Sequence, residues 1–366
     1  MTIHRRRRAF PILIAALLAA GCGAPSGGSP AASSAPTSLA SSVLGASPAV
    51  FGDPRPVIID TDMAADDWLA ILYLLGRPEV DVVAVTVTGT GEAHCEPGVH
   101  NALALVALAG HPDVPVACGR ETPLAGTNAF PDDWRDGVDS LFGIGIPDGS
   151  AAADSGSAVE LLERTLRDAP DKVALLTLGP LTNVAEMLDK SPGLADKIEA
   201  TFIMGGAVDV DGNVGDSGVG IDNRVAEWNI YVDPLAAKAV LDAGIRVTLV
   251  PLDATNHAPA TIAFTARLKD DATTASAKFA NDVLTQLSGA IASGFYYFWD
   301  PFAAAVLVDE SLTSFETGGL SVEVKEGPES GGVIDAPDGQ QTRFATSADL
   351  ARFEQLFIDT LNGRAR

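Results

Sequence analysis

The chain has 366 residues, 47% of them hydrophobic and 20% charged, enough to fill one large α/β domain or two smaller ones. A formal net charge of −24 argues against nucleic acid and anionic membrane surfaces as partners. The chain also lacks a His/Cys set with the spacing of a zinc site.

In chain order the first element is a targeting segment, residues 1–21. "HRRRR" (His4 to Arg8) is a basic start and "AFPILIAALLAA" an apolar run too short for a comfortable transmembrane helix. It ends in "LAAGC", which resembles a bacterial lipoprotein signal with Cys22 as the lipidated residue, although Ala19 replaces the usual larger aliphatic. The alternative is an ordinary secretory signal with an incidental cysteine. The expected product is an extracytoplasmic protein, anchored to the cell membrane through one lipid. Residues 22–53 are rich in Ala, Ser, Pro and Gly and read as a flexible tether. The folded domain is expected over 54–366.

"RPVIID" is a short apolar strand, followed by the helix "DDWLAILYLLG" with acids in its first turn. "VDVVAVTVTG" (strand), "VHNALALVALAG" (helix) and "VPVACG" (strand) come next, then "KVALLTLGP" (strand) and "LTNVAEMLDK" (helix). "IEATFIMGG", "DPLAAKAVLDAG" and "RVTLVPLD" repeat the alternation. Such alternation predicts an open, mostly parallel sheet with helices on both faces. The stretch before Glu310 is helical with an aromatic cluster. "LSVEVKEG" and "QQTRFATS" read as a small antiparallel extension, and a last helix runs to about Asn362 with Ser347 as its N-cap. Cys95 and Cys118 are either a disulfide pair or two free thiols.

Polar residues collect where strands end: Asp60 and Asp62, Gly179, Gly205-Gly206 and Asp253. In open parallel sheets ligands bind outside those ends. The stretch "VIIDTDMAADDWLAILYLL" sets Asp60, Asp62, Asp66 and Asp67 between a buried strand and an apolar helix. Crowded ionised carboxylates repel and are costly to desolvate unless a cation or proton offsets them. Three readings follow: ligands for a hard divalent cation, the nucleophile and acid/base pair of a haloacid-dehalogenase-type phosphatase, or helix caps in solvent.

"DTDMAADDWLAI", "LGPLTNVAEML", "MGGAV", "AEWNIYVDPLAAKAVL", "LVPLDATN" and "WDPFAAAVL" occur in that order. Together they resemble the inosine-uridine preferring nucleoside hydrolase family over Pro54 to about Glu310. The resemblance implies a Rossmann-like fold and hydrolysis of the N-glycosidic bond of ribonucleosides for salvage, with Ca²⁺ as cofactor and a nucleoside as partner. It implies Asp62 as general base and metal ligand, with Asp60 in support. Asp67, Asp300 and the Leu178 carbonyl would complete the metal shell. Asp66, Asn213, Glu227 and Asn229 would bind the ribose, and Trp228 would line the pocket. Asn183 reads as a brace. Oligomeric state is left open.

Two departures matter. Gly91 falls, by residue count, where the family commonly has an asparagine. Trp299 replaces the histidine that protonates the leaving base in many members and resembles the tryptophan of purine-preferring ones, with Trp134 as a candidate second wall. Purine nucleosides are therefore the expected substrates. A nucleoside-binding lipoprotein without hydrolysis is the alternative.

Overall fold

The computed structural model describes residues 53–149 and 151–365, all within one of the two compact units of the chain, Ala49–Arg366. The leader, Cys22 and nearly all of the tether lie outside the described residues.

The order is β1 (Arg55–Thr61), α1 (Ala65–Leu75), β2 (Val80–Val87), α2 (Cys95–Leu108), β3 (Val116–Cys118), α3 (Asp132–Asp139) and α4 (Ala158–Asp168). Next come β4 (Val173–Thr177), α5 (Thr182–Lys190), β5 (Ile198–Met204), α6 (Trp228–Val232), α7 (Pro234–Asp242), β6 (Val247–Val250) and α8 (Leu252–Thr255). Helices α9 (Ile262–Asp271), α10 (Ala275–Gln286), α11 (Ser288–Ser293) and α12 (Trp299–Val308) follow, then β7 (Phe315–Val322), β8 (Val333–Asp335), β9 (Gln341–Ala345) and α13 (Leu350–Leu361).

The strands form one sheet in the order β3-β2-β1-β4-β5-β6-β9-β7-β8. Pairing is parallel from β3 through β9, and β7 and β8 add the expected antiparallel part. "QQTRFATS" does more than extend the edge, because β9 pairs parallel with β6 and continues the main sheet. The chain leaves β1 in one direction along the sheet and resumes at β4 on its other side. That reversal opens a crevice at the carboxyl ends of β1 and β4.

Alternation along β1 divides its apolar residues between two cores. Val57 and Ile59 join α1 and the C-terminal helices, whereas Ile58 packs toward α4, α5 and α7. All eleven residues of α1 are buried, as a helix apolar on every face requires. Phe298, fully buried, meets Phe264 at 4.9 Å and Phe353 at 5.3 Å between ring centroids. These contacts fix the start of α12 immediately before Trp299 and Asp300. The N-cap of α13 is Asp349, which accepts from the Arg352 amide, and not Ser347 as expected. Ser347 Oγ instead accepts from the Ser314 amide across the tail.

Cys95 and Cys118 form a disulfide, joining the first residue of α2 to the end of β3. It closes a loop with a sequence separation of 23. Chain-entropy arguments put such a cross-link at about 3 kcal/mol. Cys95→Ser/Cys118→Ser should lower unfolding free energy by roughly that amount, read from denaturant midpoints with and without reductant. Identical midpoints would show that the cross-link is not formed in solution.

Candidate active site

Asp60 follows the apolar run of β1 and is buried. Its Oδ1 accepts from Thr86 Oγ1 (2.6 Å) and Asn183 Nδ2 (2.8 Å). Asn183 also donates to Val87 O, so it is a brace, in line with its sequence reading. Asp62 lies two residues on, next to Met63, which is held in the left-handed region at φ 62°. A buried non-glycine residue in that region marks a backbone over-determined by its surroundings.

Asp66 and Asp67 start α1 and Asp300 starts α12; packing of these two helices joins positions 234 residues apart. One oxygen of each of Asp66, Asp67 and Asp300 lies within 4.8 Å of the others. The grouping differs from the sequence expectation: Asp66 belongs to this triad, whereas Asp62 stands beside it. The Asp62 oxygens accept from the amides of Ala64 (3.3 Å) and Glu92 (3.2 Å). Thr61 Oγ1 and the Asp62 amide donate to Asp67 Oδ1.

The electrostatics identify what is missing from this arrangement. Burial pushes Asp60 and Asp67 from 3.8 up to about 7, and the charge of Asp66 adds to the rise at Asp67. Burial first, then neighbouring carboxylates, drives Asp62 and Asp300 well above the usual range. Asp67 Oδ2 and Asp300 Oδ1 are buried without a hydrogen-bond donor. Two helix N-termini offset only part of this charge. Acceptor-only oxygens, close together and lacking donors, fit a hard divalent cation such as Ca²⁺.

A cavity of about 360 Å³ opens from this cluster. At its acidic end Glu227 caps α6, accepting from Asn229 (2.9 Å), Gly206 (3.0 Å) and Ile230 (3.3 Å); burial raises it to about 7. Asn229 donates to Leu178 O (3.0 Å) and Met204 O (3.1 Å), leaving its Oδ1 to the cavity it lines. Leu178 lines the cavity too, and its carbonyl is thus already shared with Asn229. Asn213 Oδ1 accepts from the Trp228 amide (3.2 Å). The longer spacing between Asn213 and Glu227 is accommodated by residues 214–226, and both line the cavity.

The other end is aromatic. Phe130, Trp134 and Trp228 pack together, with centroids 5.0 Å (Phe130–Trp228) and 5.4 Å (Trp134–Trp228) apart. Tyr296 and Trp299 form a second group at 5.3 Å. Trp299 Nε1 and Tyr296 Oη are buried without partners. Among the described residues no histidine lines the cavity. Burial and the nearby acids hold the Tyr296 phenol well above its ordinary range, so it keeps its proton.

Phe130 and Phe142 escaped the sequence reading, each a single aromatic without periodicity to reveal it, whereas Phe295 and Tyr296 belong to the aromatic cluster read before Asp300 and line the cavity with Trp299. Glu92 lines the cavity where the family asparagine was sought, pushed upward by burial and by Asp62 and Asp66. Gly91 has a physical reason: a Cβ there would lie 2.1 Å from Asp62 Cβ. Asp253 lies outside the cavity lining and instead secures the amides of Val208 and Asp209.

Fold and site together define an α/β protein with a cavity at its strand ends lined by carboxylates and by aromatic side chains. The inosine-uridine preferring nucleoside hydrolase family matches residues 57–355, and the chain belongs to that family. A pyrimidine-specific ribonucleoside hydrolase, RihA, of Salmonella paratyphi C is 39% identical over 215 residues, 59% of this chain and 66% of the relative. The match thus spans just under two thirds of that relative's length. A purine-preferring ribonucleoside hydrolase structure from Gardnerella vaginalis aligns with TM-score 0.74 and 30% identity, over 85% of this chain and 99% of that one. An inosine-uridine preferring nucleoside hydrolase from Bacillus anthracis gives 0.73 and 25%, over 84% and 99%.

The raised carboxyls set a pH dependence. Folded values above unfolded ones mean that the stability Asp60 and Asp67 contribute as neutral acids is complete below 3.8 and lost as pH rises through about 7. Cation-free protein should therefore melt at a lower temperature at pH 8 than at pH 5. Saturating Ca²⁺ should raise the pH 8 melting temperature most, because the ion competes with protons. Melting curves that ignore both pH and Ca²⁺ would remove the cation from the site.

Proposed function

We propose that the protein hydrolyses the N-glycosidic bond of ribonucleosides, purines in preference, to ribose and free base, serving nucleoside salvage. The observation that carries this reading is one cavity with a donor-poor carboxylate triad at one end and two aromatic groups at the other. Asp66, Asp67 and Asp300 would hold Ca²⁺, with the Leu178 carbonyl beside them. When bound, the ion supplies an acidified water and a purchase for the ribose diol.

Asp62 stands beside the triad, its carboxylate oriented by two amides, and takes the proton of the attacking water. Asp60, fixed by Thr86 and Asn183, supports the strand end from below. Glu227, Asn229 and Asn213 grip the sugar through their oxygens and amides facing the cavity. Trp299 and Trp134 stack on the base, and stacking of this kind is worth about 1–3 kcal/mol per base. With no imidazole in the cavity, departure of the base relies on ring stacking and solvent. The two relatives named for opposite base classes leave the preference to the cavity, whose flat apolar surface favours the larger ring. A binder that does not cleave has no need of an oriented base beside unpartnered carboxylates. The leader, Cys22 and the tether would place the activity outside the cytoplasm on a lipid anchor, a setting that suits the Cys95–Cys118 disulfide. Fatty-acid labelling that persists in Cys22→Ala would remove the anchor.

The purified protein should release ribose from inosine, adenosine and guanosine faster than from uridine. Asp62→Asn should cut turnover on the order of 10²-fold or more while keeping Ca²⁺ and fold. Trp299→Ala should erase most of the purine preference and Trp299→Phe keep part of it. Nucleoside binding without ribose release would make the protein a binder. Equal kcat/KM for inosine and uridine would place the discrimination elsewhere.

A further inference from the structure

Arg135 is a buried cation, 8% exposed, on α3. Its Nη2 donates to two backbone carbonyls of the segment between β2 and α2, Gly89 O (3.0 Å) and Ala93 O (3.3 Å). That segment is the one that sets Asp62. Ala93 N donates to Asp62 O (2.9 Å), and Glu92 N donates to the Asp62 carboxylate (3.2 Å). Gly91 packs against Asp62 with no space for a side chain. The residue before Arg135 is Trp134, part of the aromatic wall.

Burying a guanidinium is costly, and a buried Leu or Met would pack α3 as well. What the arginine adds is one charged nitrogen, Nη2, that bonds the carbonyls at both ends of a five-residue turn and pins them. From these contacts we infer that Arg135 is a positioning residue for hydrolysis: it holds the Gly89–Ala93 turn so that the Glu92 amide fixes the Asp62 carboxylate. The inference rests on the proposed hydrolysis with Asp62 as base. It also ties the base-stacking wall to the sugar end of the cavity, since one helix carries Trp134 and clamps the turn.

Val138 provides the comparison. It is fully buried on the same helix and its side chain has no donor for either carbonyl, so Val138→Ala should weaken α3 without removing the hydrogen bonds that hold the turn. Arg135→Met should lower kcat of folded, Ca²⁺-loaded protein roughly ten-fold or more, since small misplacements of a reacting group cost that much. KM should change far less than kcat. Arg135→Lys, which keeps a donor and the charge, should recover part of the loss. Amide exchange should quicken at Glu92 and Ala93 in Arg135→Met and remain as in wild type in Val138→Ala. Wild-type kcat in Arg135→Met, an equal loss in Val138→Ala, or no recovery in Arg135→Lys would overturn the assignment. If Arg135→Met does not fold, the Lys and Val138 variants carry the comparison. A wild type that cleaves no nucleoside would defeat the proposed function, while the exchange rates would still decide whether Arg135 holds the turn.

Discussion

Uncompensated negative charge, buried where the sheet reverses direction, is the constraint around which this structure is arranged. Asp60, Asp62, Asp66, Asp67 and Asp300 are all buried; burial raises the proton affinity of each, and neighbouring carboxylates add to the rise at Asp62, Asp67 and Asp300. No cationic side chain forms an ion pair with them among the described residues. The protein supplies partial relief through hydroxyls, amides and two helix N-termini, and leaves Asp60 Oδ2, Asp67 Oδ2 and Asp300 Oδ1 without donors. A fold that keeps this cost after offering so many donors is one organised to accept a cation.

The scaffold around the charge is rigid on every side. Helix α1 is buried along its whole length, α12 is anchored by Phe298, and β1 and β4 are central strands. On the remaining side lies the turn after β2, and there the chain adds the disulfide, Arg135 and the pairing of His94 with Asp139. Glycine at 91 and 179 lets backbone approach Asp62 from two directions. Close approach of this kind fixes the orientation of a carboxylate through main-chain amides, which no side-chain rotamer change can undo.

How much was legible in the sequence depended on how local the cause is. Acids directly after an apolar strand announce themselves, so Asp60, Asp62, Asp66 and Asp67 stand out without a structure. Asp300 does not: only family resemblance ties it to residues 234 positions away. Helix α4 was overlooked although Ser157 and Glu160 form a capping box that the spacing displays. Ser347 fits the cap pattern in the sequence, but in the fold its hydroxyl is taken by the Ser314 amide and Asp349 caps the helix. The division of labour between Asp62 and Asp66 is set by which oxygens meet the amides of Ala64 and Glu92, a matter of backbone path. Arg135 carried no signal, because its partners are carbonyls, which every sequence has.

The cavity changes character along its length, and this bears on how bond cleavage can be driven from one side. Polar, charge-rich surroundings at the sugar favour a positively charged transition state, since carboxylates lie where an oxocarbenium would form. At the aromatic end the unpartnered polar atoms among the described residues are Trp299 Nε1 and Tyr296 Oη. Both are weak acids that keep their protons, so they can donate a hydrogen bond to a departing base without transferring a proton. Under the proposed hydrolysis, nearly all of the rate enhancement must be placed at the sugar and the water. Exact orientation of Asp62 as the proposed base would then matter more than in a site that shares the work with an acid at the leaving group. A buried arginine across the Gly89–Ala93 turn and a disulfide just beyond it at Cys95 would serve that orientation.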